Sequence, residues 1–150
     1  MPKLIALVGM PGSGKSAASR HLQEKDYSVV RLGDLADAEL KKQGLALGED
    51  SERRVREGLR KEHGMDVFAR LSKDRIDEAL EKSGKAVVID GLYSMQEYEL
   101  IKKAYGDKLH VIAIYASPKT RHARLASRKV RPIPPEKALE RDHAEIKNLN

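Results

Sequence analysis

Apolar residues in this chain fall into two kinds of run. Four short stretches, 4–8, 28–32, 86–89 and 110–115, are nearly continuous in aliphatic and β-branched residues, with little alternation with polar positions. Such runs are expected of strands covered on both faces in a parallel sheet. Between them, helical spacing of apolar positions predicts helices over 15–25, 35–43, 52–63, 67–82, 94–104 and 119–129. A seventh helix, 135–146, is expected after the proline-rich break "RPIPP". Helices alternating with buried-type strands predict a three-layer α/β/α domain on a parallel sheet with right-handed crossovers. The length of 150 residues suits one domain over 1–150. The segment 33–84 separates two strands without a strand pattern of its own and reads as a helical insert with a separate task.

Charge narrows the partners. There are 29 Lys plus Arg against 23 Asp plus Glu, a net charge of +6, which suits nucleotides, nucleic acid or acidic lipid. Cysteine is absent, which excludes disulfides and thiol chemistry. The run 4–8 is too short for a signal-peptide core and nothing approaches a membrane span, so a cytoplasmic protein with no membrane partner is expected. The five histidines, His21, His63, His110, His122 and His143, show no metal-ligand spacing with acids.

The chemistry starts after the first apolar run. Gly9-Met10-Pro11-Gly12-Ser13-Gly14-Lys15-Ser16 fits G-x-x-x-x-G-K-[ST] in full, between a predicted strand and a predicted helix. Glycines let the backbone curl so that successive N–H groups point at phosphate oxygens, and the positive end of the next helix adds to that field. Gly9, Pro11, Gly12, Ser13, Gly14, Lys15, Ser16 and Ala17 are therefore candidate nucleotide-binding residues. Lys15 supplies a mobile charge for the β and γ phosphates of ATP or another nucleoside triphosphate, and the Ser16 hydroxyl is the expected Mg²⁺ ligand. Asp90, at the end of the buried run "KAVVID", is the expected second Mg²⁺ site residue; Asp-Gly is also a common strand-end turn. GTPases are excluded because no N-K-x-D segment occurs. The length leaves no room for the extra modules of large ring ATPases.

"GMPGSGKS", "RLGDL", "VVIDGLYS" and "YASPKTRHARLASRKVRP" together resemble the nucleoside-monophosphate kinase and dephospho-coenzyme A kinase branch of P-loop proteins, whose small members are often labelled AAA-family ATPases. The resemblance covers essentially the whole chain. It implies ATP- and Mg²⁺-dependent phosphoryl transfer to a small nucleotide-like acceptor, with Asp34 as the acid facing the acceptor. Asp34 also fits a helix N-cap. The resemblance makes 33–84 the acceptor insert and 118–141 the lid. Arg53, Arg56 and Arg60 share one helical face, and Arg56 and Arg60 are the candidates to grip an acceptor phosphate. An ordinary solvated basic face, with Glu52 and Glu57 in salt bridges, is the alternative. Of the cluster Arg121, Arg124, Arg128 and Arg131, the pair Arg124 and Arg128 sits at i and i+4 and is carried over as catalytic lid residues. Arg141 and Arg131 are weaker candidates.

Two departures from that group stand out. Adenylate kinases carry an arginine shortly after the third strand's Asp-Gly, where this chain has Leu92, Tyr93 and Ser94; Gly91 and Tyr93 are the candidate acceptor contacts there, with core packing the default alternative for Tyr93. The group also continues into a base-binding loop, a fifth strand and a final helix, so a last strand and helix are expected to be missing from these 150 residues. A monomer or homodimer is expected. A nucleotide-binding ATPase switch acting on a partner such as RNA is the rival reading, although the aromatic platforms expected for single strands are lacking.

Overall fold

The computed structural model describes residues 3–148. The four apolar runs form β1 (Leu4–Val8), β2 (Ser28–Arg31), β3 (Val87–Asp90) and β4 (Leu109–Ala113). They make one parallel sheet in the order β2-β3-β1-β4. Seven helices accompany it among the described residues: α1 (Lys15–Gln23), α2 (Asp34–Lys42), α3 (Glu49–His63), α4 (Val67–Lys82), α5 (Met95–Tyr105), α6 (Pro118–Ala126) and α7 (Pro135–Asn148). The architecture is the expected three-layer α/β one. No helix among the described residues is long and apolar enough to cross a membrane.

β1 and β3 lie at the centre. Leu4, Ala6, Val87, Val88 and Ile89 are fully buried. Burial of each large aliphatic side chain stabilises by roughly 1.5–3 kcal/mol, so these two strands are the firmest part of the molecule. Their register places Leu7 beside Asp90. The loop leaving β1 and the last residue of β3 therefore emerge side by side. Ligands of open α/β sheets bind at that crevice beyond the strand ends, where the strand order reverses.

The segment between β2 and β3 divides in two. α4 contributes Val67, Phe68, Ala69 and Ile76 to the sheet's own core, and so serves as the crossover helix back to β3. α2 and α3 form the remainder, tied to the same core by Ala36, Leu40 and Val55. α3 starts one turn before the expected residue 52, because Glu49, Asp50 and Glu52 stabilise the positive end of the helix. Ser94, expected as a helical residue, is instead the N-cap of α5 in a full capping box with Glu97.

Two expectations fail at the other edge. The run 110–115 is not covered on both faces: β4 is an edge strand, and Val111 and Ile112 are 45% and 47% exposed. A continuous apolar run reports strand propensity, whereas its cover depends on where the strand falls in the sheet. The helix expected to reach residue 129 ends at Ala126, because the Ile133 N–H turns back to the Leu125 carbonyl at 2.9 Å. Leu125, Ile133 and Ala138 then close a small second core joining α6 to α7.

Candidate active site

The loop between β1 and α1 curls through three glycines with positive φ, at 151°, 78° and 115° for Gly9, Gly12 and Gly14. Gly12 also has no room for a side chain. A Cβ there would lie 2.7 Å from the Arg121 carbonyl oxygen and 3.0 Å from Leu125. α6 is thus pressed against the outside of the loop. Arg124 adds a second hold from that side, its Nη1 donating to the carbonyls of Gly12 and Ser13 at 3.3 and 3.2 Å. A loop curled through glycines in this way can turn successive N–H groups towards an anion.

Lys15 is buried at the base of this loop. Its Nζ donates to the Gly9 carbonyl and, at 3.2 Å, to that of Met10. The ammonium also sits 5.5 Å from the centre of the Tyr93 ring. Burial lowers its pKa from 10.5 to about 8, against the pull of Glu145 and Asp90. A cation held at that energetic cost is poised for an anion.

One cavity of about 660 Å³ opens in front of the loop. Pro11, Gly12, Gly14, Lys15, Ser16, Ala17, Asp90, Gly91, Tyr93, Arg56, Arg60, Arg124 and Arg128 all line it. Gly9 and Ser13 do not line it, and the buried Ser13 hydroxyl has no hydrogen-bond partner among the described residues. Arg128 reaches the cavity from the loop after α6, so it does not share a helical face with Arg124, although both side chains line the cavity.

Asp34 is placed elsewhere. It is the first residue of α2, whose N-cap is Gly33, and no side-chain cap bond forms. Its carboxylate accepts from Arg31 at 3.1 Å and from Arg75 at 2.8 Å, and it is not among the residues lining the cavity. Asp37, one turn further on, does line it. Asp37 accepts from Arg31 at 2.6 Å and from Arg131 at 3.4 Å. Burial works against its charge, but the two arginines outweigh it and hold the carboxyl below its usual range.

Asp37 opens a chain of ion pairs around the far end of the cavity. Arg131 continues to Glu52 at 3.2 Å, Glu52 to Arg56 at 3.6 Å, and Arg56 to Glu49 at 3.2 Å. Glu49 reaches Arg141 at 2.9 Å, and Arg141 reaches Glu145 at 3.2 Å. The weaker candidates Arg131 and Arg141 are therefore central to this wall. The sequence singles out none of Arg31, Asp37, Glu49 and Glu145, and gives Glu52 only as a salt-bridge partner on a solvated basic face. Three signals were available: Arg31 at a strand's C-terminal end, Glu49, Glu52 and Arg56 on one helical face, and Glu145 four residues after Arg141. Arg60 and Arg128 are among the cavity's cations that stand apart from the chain. Arg60 rests on Phe68, 4.9 Å from the ring centre, with its Nε buried and unpartnered. Arg128 has neither a hydrogen bond nor an ion pair among the described residues. Burial lowers the pKa of both. In all, ten Lys and Arg side chains line the cavity against six Asp and Glu, an excess suited to a polyanion.

The family model described as an AAA domain matches residues 5–148 of this chain. The chain belongs to that P-loop NTPase family. Among its AAA-domain relatives are a UPF0200 protein of Methanosarcina acetivorans, 38% identical over 85% of this chain and 67% of that protein, and one of Thermococcus onnurineus, 34% identical over 96% and 79%. A UPF0200/UPF0201 protein of Archaeoglobus fulgidus is 39% identical, but the chain spans only 39% of its length. A similar fold is found in TT1252 from Thermus thermophilus (TM-score 0.61, 20% identity, 96% of this chain and 80% of that one). A gluconokinase from Sinorhizobium meliloti 1021 shares it too (TM-score 0.54, 17% identity, 95% and 74%).

Proposed function

We propose that this chain transfers the γ-phosphoryl group of ATP to a nucleotide-like acceptor, a nucleoside monophosphate or dephospho-coenzyme A. The observation that carries the reading is one cavity lined both by the phosphate loop and by arginines from α3, the loop after α6, and α7. A gluconokinase on the same fold supports phosphoryl transfer as the class of reaction. The site fits MgATP: Gly9 and Gly12 leave no room for a side chain, Lys15 is a buried cation, and Ser16 and Asp90 face the same cavity. Among the described residues no cluster of three or more acids or histidines could hold a metal alone. Ser16 and Asp90 would therefore hold Mg²⁺ with phosphate oxygens completing its shell. When bound, Mg²⁺ neutralises charge on the β and γ phosphates.

In this reading the loop N–H groups and Lys15 bind the phosphates. Arg124 and Arg128 offset the charge on the transferring group. Arg56 and Arg60 bind the acceptor's anionic group, and Gly91 and Tyr93 wall the space beside it. The acceptor oxygen bonds to the γ phosphorus as the bond from that phosphorus to the β-bridging oxygen breaks. Asp37 orients the acceptor oxygen and takes its proton where it is a hydroxyl. Asp34 acts one step back, holding Arg31 against Asp37. Transfer assays on Asp37→Asn and Asp34→Asn test the assignment. Asp37→Asn is expected to lower kcat by about 100-fold or more, and Asp34→Asn by much less. The reverse order would restore Asp34 as the acceptor-facing acid.

A further inference from the structure

Outside the cavity lies a buried ionic cluster that phosphoryl transfer does not use. Arg121 on α6 and Asp142 on α7 are each 5% exposed. The guanidinium meets the carboxylate through two bonds, Nη1 to Oδ1 at 2.9 Å and Nη2 to Oδ2 at 2.8 Å. His122 Nε2 lies 2.9 Å from the same Oδ2. Two further donors of Arg121 go to backbone: Nε to the Ala116 carbonyl at 3.2 Å and Nη1 to the Pro11 carbonyl at 3.2 Å. Pro11 lies inside the phosphate loop. The Arg121 carbonyl is also the atom that excludes a side chain from Gly12.

A buried arginine spread over one carboxylate and two carbonyls has a single orientation available to it, because its planar fork satisfies all three at once. Asp142 fixes that fork, and the fork holds the Pro11 carbonyl on the loop's outer side. The neighbouring residue on α7, Arg141, points the other way into the cavity and pairs with Glu49 of α3. One turn of α7 thus touches the nucleotide loop through Asp142 and the acceptor wall through Arg141.

We infer that Arg121 and Asp142 are positioning residues for the phosphate loop, and that α7 couples the loop to the acceptor arginines. The inference rests on the reading of the loop as a phosphate site. Lysine at 121 keeps the charge and a bond to Asp142 but cannot reach the carboxylate and both carbonyls together. Two measurements on folded Arg121→Lys and Asp142→Asn, confirmed by circular dichroism, separate the inference from that reading. The first is amide hydrogen exchange of the ligand-free protein. Exchange at Ser13 and Ala18, whose N–H groups donate to the Met10 and Gly14 carbonyls at 3.1 and 3.0 Å, should accelerate about ten-fold or more, while the central strands Leu4–Val8 and Val87–Asp90 keep wild-type protection. The second is titration with a non-hydrolysable ATP analogue and Mg²⁺, where wild type binds and both variants bind about ten-fold more weakly or worse. A purely structural ion pair would raise exchange throughout the core and leave the affinity of the remaining folded protein unchanged, and that result overturns the inference. Unchanged loop exchange in Arg121→Lys overturns it as well, and serves where Asp142→Asn fails to fold. Loss of loop protection together with a wild type that binds no nucleotide would instead sink the phosphate-site reading and leave the positioning role standing.

Discussion

Removing the loop lysine should make the ligand-free protein more stable. Lys15 is buried, and the fall of its pKa from 10.5 to about 8 corresponds to about 3 kcal/mol against the charged form. Lys15→Met removes that cost while filling similar space. It also removes the Nζ hydrogen bonds to the Gly9 and Met10 carbonyls, each worth about 1 kcal/mol net. The balance is a gain of about 1 kcal/mol, or about 2–4 °C in Tm for a domain of this size. The pH dependence gives a second check. Between about pH 8 and 10.5 the unfolded chain keeps the Lys15 proton while the folded chain has lost it, so wild-type stability rises with pH relative to the variant. The variant's advantage is therefore full at pH 7 and shrinks across that window. Thermal unfolding by circular dichroism, with and without a non-hydrolysable ATP analogue and Mg²⁺, reads both effects. At 100 times its Kd the analogue should stabilise wild type by about 2.7 kcal/mol and the variant hardly at all. A variant less stable than wild type at pH 7 without ligand, or a gap unchanged up to pH 10, would refute the reasoning.

Gly12→Ala should cost about 2 kcal/mol or more, a drop of roughly 4–8 °C in the same unfolding experiment, because its Cβ meets the backbone of Arg121 at a φ of 78°. Arg60→Ala should raise the acceptor KM about ten-fold or more while leaving the Kd of the ATP analogue within two-fold, since a charge-assisted bond from its cavity-lining guanidinium to the acceptor is worth about 1.5–3 kcal/mol; initial-rate kinetics at fixed saturating ATP check it.

The sheet and the phosphate loop were legible because both are local chemistry. Val87, Val88 and Ile89 announce a buried strand by composition alone, and the Gly9–Ser16 spacing is a backbone shape written in glycines. The cover of a strand is not local: Val111 and Ile112 read as buried, yet β4 falls at the edge. Asp34 and Asp37 lie within one helical turn, and which of them faces the cleft depends on where α2 starts and on Arg75, 41 residues away in sequence. The long-range links of the ion-pair wall are invisible for the same reason. Glu49 meets Arg141 across 92 positions, and no spacing rule spans such a distance. Arg121 was grouped with the lid arginines by its neighbours in sequence, but the fold turns it inward to Asp142.

The central claim is transfer, as distinct from binding or hydrolysis. The most direct measurement incubates the protein and Mg²⁺ with γ-labelled ATP and a panel of nucleoside monophosphates and dephospho-coenzyme A, then separates labelled product from free phosphate. Label on one of these acceptors, lost in Asp37→Asn and recovered at higher acceptor concentration in Arg60→Ala, is the predicted result. Label released only as free phosphate, at a rate raised by RNA and indifferent to both substitutions, would contradict it.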